Sequence, residues 1–158
     1  MGRPRRPLFG GVAALVVTAL IVAACGVLSP PDPRLCSAAQ NLSAAMALTA
    51  TAIEADQAGD LARAQGLATQ ARSVSELANT LLRGAPDAQR SDPVFQALQL
   101  VYLATARAAN SLLPAYSNTH GTGPAELAKA GASMAKAREG LPGMCFDIPA
   151  DVETPGAS

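Results

Sequence analysis

The sequence predicts an all-α protein, an antiparallel up-and-down four-helix bundle closed by a terminal disulfide. Hydrophobic residues recur every three to four positions through most of residues 32–145, which is the period of an amphipathic helix. Signals for the start and end of a helix interrupt this pattern, and short connections make successive helices antiparallel. Alanine, the best helix former, supplies 35 of the 158 residues.

The length and composition fit one domain, or one domain together with a targeting segment. Hydrophobic residues make up 49% of the chain, and 12 Lys and Arg balance 12 Asp and Glu. A net charge of zero gives no reason to expect a nucleic-acid partner. One His and the absence of a Cys/His cluster argue against a metal site and against most acid–base catalysis. We therefore expect no cofactor and no enzymatic activity.

Residues 1–24 have the pattern of a secretory signal peptide. Three arginines and no acidic residue precede Leu8, and an uncharged, mostly aliphatic run then extends to Ala24. A basic segment followed by an apolar segment and small residues is typical of export signals. Once these residues are removed, nine basic and twelve acidic residues remain, a mild acidity that suits solubility.

The end of the apolar run, Val22-Ala23-Ala24-Cys25, resembles the lipobox of bacterial lipoproteins. The resemblance implies that the Cys25 sulfur receives a diacylglyceryl group and that cleavage before Cys25 makes it the first residue. Residues 25–31 would then be the acylated cysteine and a short tether that anchors the chain at the extracytoplasmic face of the cell membrane. The alanine- and arginine-rich composition resembles that of GC-rich, actinobacterial sources.

An uncleaved membrane anchor is the alternative interpretation of this segment. Residues 8–28 form 21 uncharged positions, and about 20 apolar residues can span a bilayer. Residues 5–9 also loosely resemble a twin-arginine export motif, although the strongly apolar run favours the general secretion route. Both interpretations place the rest of the chain outside the cytoplasmic membrane.

Cysteine usage predicts one disulfide. With Cys25 assigned to lipid, Cys36 and Cys145 remain, and a remaining cysteine pair in an exported protein is expected to be bonded. Closing a loop of about 100 residues stabilises a fold by up to about 4.7 kcal/mol in the chain-entropy model. A redox-active pair is the alternative, but the two residues lack the Cys-x-x-Cys spacing.

The first two predicted helices are separated by Ala58-Gly59-Asp60, which combines a helix stop with a new N-cap. The first helix begins at Asp32-Pro33, because Asp is a good N-cap and Pro fits the first helical position. Its predicted buried residues are Leu35, Ala39, Leu42, Met46, Thr49 and Ile53. Those of the second helix are Ala64, Leu67, Ala71, Val74, Ala78 and Leu81, and Leu77 and Leu82 widen its buried face.

The third predicted helix begins at the same Asp-Pro signal, Asp92-Pro93, and ends before Pro114. Its predicted buried residues are Phe95, Leu98, Tyr102, Thr105, Ala109 and Leu112. Val94, Leu100, Val101 and Leu103 make most of its circumference apolar, so we expect it to be the most buried helix.

The fourth predicted helix begins at Pro124 and buries Leu127, Gly131, Met134 and Leu141. Residues 146–158 contain prolines and acids without helical periodicity, which predicts a disordered tail. An α-solenoid is the rival fold, but no repeat of 30 to 45 residues recurs.

Few residues are candidates for chemistry. His120 lies in a loop rich in Gly, Thr and Asn, where a solvent-exposed histidine is more common than a ligand. Glu54, Asp56 and Asp60 cluster near the end of the first helix, and we interpret Asp60 as an N-cap and the other two as a solvated surface. Four larger side chains could line a ligand pocket, although such residues are more often core: Met46, Tyr102, Tyr116 and Met134.

We expect a non-enzymatic interaction or structural module of the cell envelope, which would bind a protein partner there. The alternative is a carrier of a small apolar ligand or haem. The chain shares its size class and the Cys36-x-Ala38-Ala39 start with small secreted haem-binding helical proteins of mycobacteria, but no haem-ligating motif can be matched.

Overall fold

The computed structural model of the protein describes residues 32–147, and all regular structure in this range is helical. The α-helices in it are α1 (Pro33–Gln57), α2 (Leu61–Arg83), α3 (Pro93–Asn110) and α4 (Gly123–Arg138). Short 3-10 helices follow α2, α3 and α4, namely η1 (Asp87–Gln89), η2 (Pro114–Thr119) and η3 (Gly143–Phe146). The all-α prediction is confirmed. The predicted signal peptide (residues 1–24), the lipidated Cys25 with its tether (25–31) and the tail from residue 148 lie outside the described residues.

Aspartate caps begin α1 and α3 where the sequence predicts them. The Asp32 side chain accepts a hydrogen bond from the Arg34 backbone N–H at 2.8 Å, and the Asp92 side chain accepts one from the Val94 N–H at 2.7 Å. These bonds satisfy backbone donors that have no partner within the helix.

The turn between α1 and α2 also follows the prediction. Gly59 has φ +81°, in the left-handed region that a residue without a Cβ adopts at little cost. Asp60 then caps α2 by accepting a hydrogen bond from the Arg63 N–H at 3.1 Å. The turn is complete within three residues, so α2 follows α1 closely.

The core contains two groups of buried hydrophobic residues. Cluster 1 includes Leu42 of α1, Leu82 of α2, Leu98 of α3, Met134 of α4 and Cys145 of η3. Cluster 2 comprises Leu48, Ala52, Ile53, Leu67, Ala68, Ala71, Ala109 and Leu112, with Leu127 of α4 packed against it. Along these helices α1 packs mainly against α2, and α3 mainly against α4.

Buried hydroxyl groups lie near the boundary between the clusters. Ser75 and Thr105 fall between cluster 1 and cluster 2 residues on α2 and α3, and Thr49 of α1 follows Leu48 of cluster 2. The Thr49 Oγ1 donates a hydrogen bond to the Ala45 carbonyl at 2.7 Å. The Thr105 Oγ1 has no hydrogen-bond partner among the residues described.

The most enclosed helix is α1, and the expectation that α3 would be is wrong. No residue of α1 from Leu35 to Ile53 is exposed, because α2, α3, α4 and η3 all contact this helix. On α3, by contrast, Leu100 and Leu103 are 53% and 46% exposed. Most of the circumference of α3 is apolar, as the sequence predicts, but no described element covers the side that carries Leu100 and Leu103.

Other details of the predicted helices also change. Leu77 is exposed, and Ser75 is buried on α2 in its place. The end of α4 at Arg138 leaves Leu141 buried beyond the helix. Phe146, which the sequence assigns to a disordered tail, is buried in cluster 1 because the disulfide at the neighbouring residue holds η3 against α1.

Candidate functional site

The disulfide joins the start of α1 to η3. The sulfurs of Cys36 and Cys145 are 2.14 Å apart, and 109 positions separate the two residues in the sequence. Cys145 is fully buried, whereas Cys36 is partly exposed. The predicted pairing is therefore present in the structure. It holds the segment after α4 against the first turns of the helical domain.

Polar contacts fix the start of α1 at two further places. The Gln89 Nε2 donates a hydrogen bond to the Asp32 Oδ2 at 2.7 Å, which links η1 to the cap of α1. This bond, with the one from the Arg34 N–H, holds the pKa of Asp32 below its usual value. The Arg34 guanidinium donates to the Gly84 carbonyl at the end of α2. The entry of the chain into the helical domain is thus bound to two other elements.

A third polar contact links α1 to η3. The Gln40 Nε2 donates a hydrogen bond to the Met144 carbonyl at 3.2 Å, one residue before the disulfide. The sequence gives no sign of these long-range contacts, because helical periodicity reports only which face of each helix is apolar.

A surface cleft of about 260 Å³ lies beside η3 and is lined by Arg138, Leu141, Gly143, Phe146 and Asp147. The Arg138 guanidinium lies 5.1 Å from the centre of the Phe146 ring, within the range of a cation–π interaction. The cleft combines an apolar wall with one cation and one carboxylate. Its volume is below the roughly 300–1,000 Å³ of typical small-molecule sites.

The structure does not bring the polar candidate residues together. His120 is exposed at the end of η2, whereas Glu54, Asp56 and Asp60 lie around the end of α1 and the start of α2. Asp60 is the N-cap that the sequence predicts. Within residues 32–147, no three His, Cys, Asp or Glu side chains are grouped as metal ligands would be.

The side chains suggested for a ligand pocket are also dispersed. The Tyr102 hydroxyl donates a hydrogen bond to the Glu76 Oε1 at 2.9 Å, and burial together with this carboxylate raises the pKa of Tyr102. Tyr116 lies 5.7 Å from the Arg72 guanidinium. Met134 belongs to cluster 1, and Met46 packs against it. None of the four lines the cleft beside η3.

A close approach between α3 and α4 was missed by the sequence reasoning. Gly123 is buried at the start of α4, where a Cβ would lie 2.7 Å from the Ser111 Oγ. Gly123 is needed because it allows the two helices to approach closely. The left-handed turn before α4 is formed by Gly121, which has φ +84°. The signal in the sequence is the second glycine of Gly121-Thr122-Gly123, because one glycine is enough for the turn.

Comparison with protein-family models, curated proteins and solved structures found no match to the chain. In the described part of the chain, no helix is both long and apolar enough to cross a bilayer.

Proposed function

We propose that the chain is a lipid-anchored extracytoplasmic lipoprotein, a non-enzymatic interaction or structural module of the cell envelope. The observation that carries the proposal is the bond between Cys36 and Cys145. The chain has three cysteines, so this pairing leaves Cys25 as the single cysteine for lipid attachment. Cys25 also stands at the lipobox position of Val22-Ala23-Ala24-Cys25.

The disulfide further supports residence outside the cytoplasm. Structural disulfides form and persist in oxidising compartments and are rare where thiols are kept reduced. A buried sulfur at Cys145 and a bond that packs η3 on α1 are features of a structural bridge. Export is also what the arginines and apolar run of residues 1–24 predict.

We further propose that the helices form an antiparallel up-and-down bundle. Along α1 and α3, cluster 1 residues precede those of cluster 2, and along α2 the order reverses. Leu127 near the start of α4 packs against cluster 2, and Met134 further along belongs to cluster 1. This alternation supports helices that run in opposite directions in turn, as short connections favour.

Exposed apolar residues support an interaction role. Leu100 and Leu103 are three positions apart on α3, so they lie on neighbouring parts of one helix surface. Contiguous exposed apolar patches mark interaction sites, whereas singly exposed apolar residues are normal. This adjacent pair is therefore the feature of α3 on which the proposed interaction role depends.

Membrane fractionation of two variants tests the proposal. Cys25→Ala is expected either to accumulate as uncleaved precursor or to leave the membrane fraction as a cleaved, unlipidated protein. The matched control, Cys36→Ser with Cys145→Ser, keeps Cys25 and is expected to remain in the membrane fraction. A cleaved Cys25→Ala protein that fractionates like the wild type would contradict lipid attachment at this residue.

A further inference from the structure

The point where a lipid tether would enter the helical domain is held by a hydrogen bond and by the disulfide. Asp32 accepts a hydrogen bond from Gln89 of η1. About one helical turn after Asp32, Cys36 forms the disulfide with Cys145. Six residues, 26–31, separate Asp32 from Cys25. An extended chain spans at most about 3.3–3.6 Å per residue, so Asp32 can be no more than about 25 Å from the Cys25 backbone.

The far end of α1 lies well beyond this point. At about 1.5 Å per residue, a helix of 25 residues is about 37 Å long. Leu61, which begins α2, comes just after the far end of α1. The tether therefore favours contact between the lipid surface and the end of the domain that contains Asp32, Cys36 and η3.

That end exposes an apolar side chain next in sequence to a residue of the cleft beside η3. Met144 of η3 is 67% exposed, more than any other large hydrophobic side chain that the structure describes. Its carbonyl is bonded to Gln40 of α1, and the next residue forms the disulfide, so its position is tied to the start of α1. The Arg138 guanidinium lies in the neighbouring cleft, over the Phe146 ring, and the Asp147 carboxylate lines the same cleft.

We propose that this end of the domain, with Met144 and Arg138, rests on the lipid surface to which Cys25 is anchored. The inference depends on the proposed lipid anchor and adds the orientation of the domain. The apolar Met144 side chain would enter the boundary between headgroups and acyl chains. The Arg138 guanidinium would pair with lipid phosphate, a geometry for which arginine is well suited.

The exposed pair on α3 defines the competing orientation. If Leu100 and Leu103 entered the lipid surface, the domain would lie on its side with α3 against the membrane. The length of the tether permits both orientations, so the experiment has to compare probes at Met144 and on α3. A probe at Leu61, 57% exposed, reports the far end.

The chain contains no tryptophan, so a single introduced tryptophan is a clean reporter. Mature lipidated Met144→Trp, Leu103→Trp and Leu61→Trp proteins, each beginning at Cys25, are reconstituted into phosphatidylcholine–phosphatidylglycerol vesicles carrying acyl chains brominated near the headgroup. We expect Met144→Trp to lose about half or more of its emission, because an interfacial side chain lies about 5–10 Å into this boundary. The other two variants are expected to keep nearly all of theirs.

Flotation of the same samples separates the two proposals. If the proteins float with the vesicles but Leu103→Trp or Leu61→Trp is quenched as strongly as Met144→Trp, the orientation is wrong and the anchor stands. Equally, a floating Met144→Trp protein without quenching overturns the orientation. If the mature protein purified from membranes does not float, both proposals fail.

A second measurement keeps the native residue at 144. With methyl-labelled methionine in the otherwise unmodified protein, headgroup-spin-labelled lipid is expected to broaden the Met144 resonance. Met134, buried in cluster 1, and Met46, packed against it, serve as internal controls and are expected to keep their line widths. Equal broadening of all three, or none at Met144, contradicts the orientation.

Discussion

The Cα atoms of Cys36 and Cys145 lie 4.6 Å apart, although 109 positions separate them in the sequence. This one bond places the start of α1 beside the segment after α4. The hydrogen bond from Gln40 to the Met144 carbonyl and the burial of Phe146 belong to the same junction. The junction therefore combines a covalent, a polar and an apolar contact.

Removal of the disulfide is expected to destabilise the fold. Replacing both Cys36 and Cys145 by serine leaves no unpaired thiol at either position and should lower the free energy of unfolding by about 2–5 kcal/mol, because the unfolded chain gains the freedom of a long open loop. Urea unfolding of both proteins measures the difference. An unchanged midpoint and slope would show that the bond does not stabilise the native state.

A side chain at position 123 is expected to destabilise the fold. In Gly123→Ala the new Cβ would lie 2.7 Å from the Ser111 Oγ and 3.5 Å from the Ile53 Cδ1, so we expect a loss of about 1–3 kcal/mol from overpacking. Gly131→Ala is the control on the same helix, where a Cβ has no neighbour within 4 Å. It should instead stabilise the protein by about 0.5–1 kcal/mol. Thermal unfolding that moves both variants in the same direction would contradict the packing at Gly123.

Thr105 is expected to be replaceable by valine with a gain in stability. Its buried Oγ1 has no hydrogen-bond partner in the described part of the chain, and such a group costs about 1–3 kcal/mol. Thr49→Val is the matched control, because the Thr49 hydroxyl does donate to the Ala45 carbonyl. Chemical denaturation should show Thr105→Val as the more stable of the two. The reverse order would mean that the Thr105 hydroxyl is bonded in solution.

The hydroxyl of Tyr102 is expected to ionise above its ordinary pKa of 10.0, because burial and the Glu76 carboxylate both oppose the phenolate. A pKa raised by folding stabilises the native state below the unfolded pKa, and this contribution is lost as the pH rises through the folded value. Tyrosinate absorbance should show a late transition that Tyr102→Phe removes and Glu76→Gln moves towards lower pH. If Tyr102→Phe removes a transition at or below pH 10.0 instead, burial does not perturb the group.

Local signals in the sequence predicted the helix starts and the disulfide. Asp32, Asp60 and Asp92 each cap the helix expected of them, since capping depends only on a few neighbouring residues. The Cys36–Cys145 pairing followed from counting cysteines. Both kinds of prediction need no knowledge of how the helices pack.

Burial was harder to predict because alanine occurs on every side of these helices. An alanine-rich helix has a weak contrast between its faces, so the pattern widens the buried face of α2 to Leu77 and makes α3 the most buried helix, although Leu77, Leu100 and Leu103 are exposed. The absence of charged residues is a better indicator that α1 is enclosed. Residues 35–53 carry no charge at all, which is what a helix contacted on most of its circumference requires.

Candidate site residues at the junction could not be found from one sequence. The contacts of Gln40 with Met144 and of Arg34 with Gly84 join positions 104 and 50 residues apart. No periodicity or motif relates such positions, because the partners meet only after the helices have packed.

The most direct test of the account is the intact mass of the protein extracted with detergent from its native membrane under non-reducing conditions. We predict a polypeptide that begins at Cys25, carries the mass of a diacylglyceryl group on that residue, and lacks two hydrogens because Cys36 and Cys145 are bonded. A full-length polypeptide recovered from the cytosol with three free thiols would contradict the account.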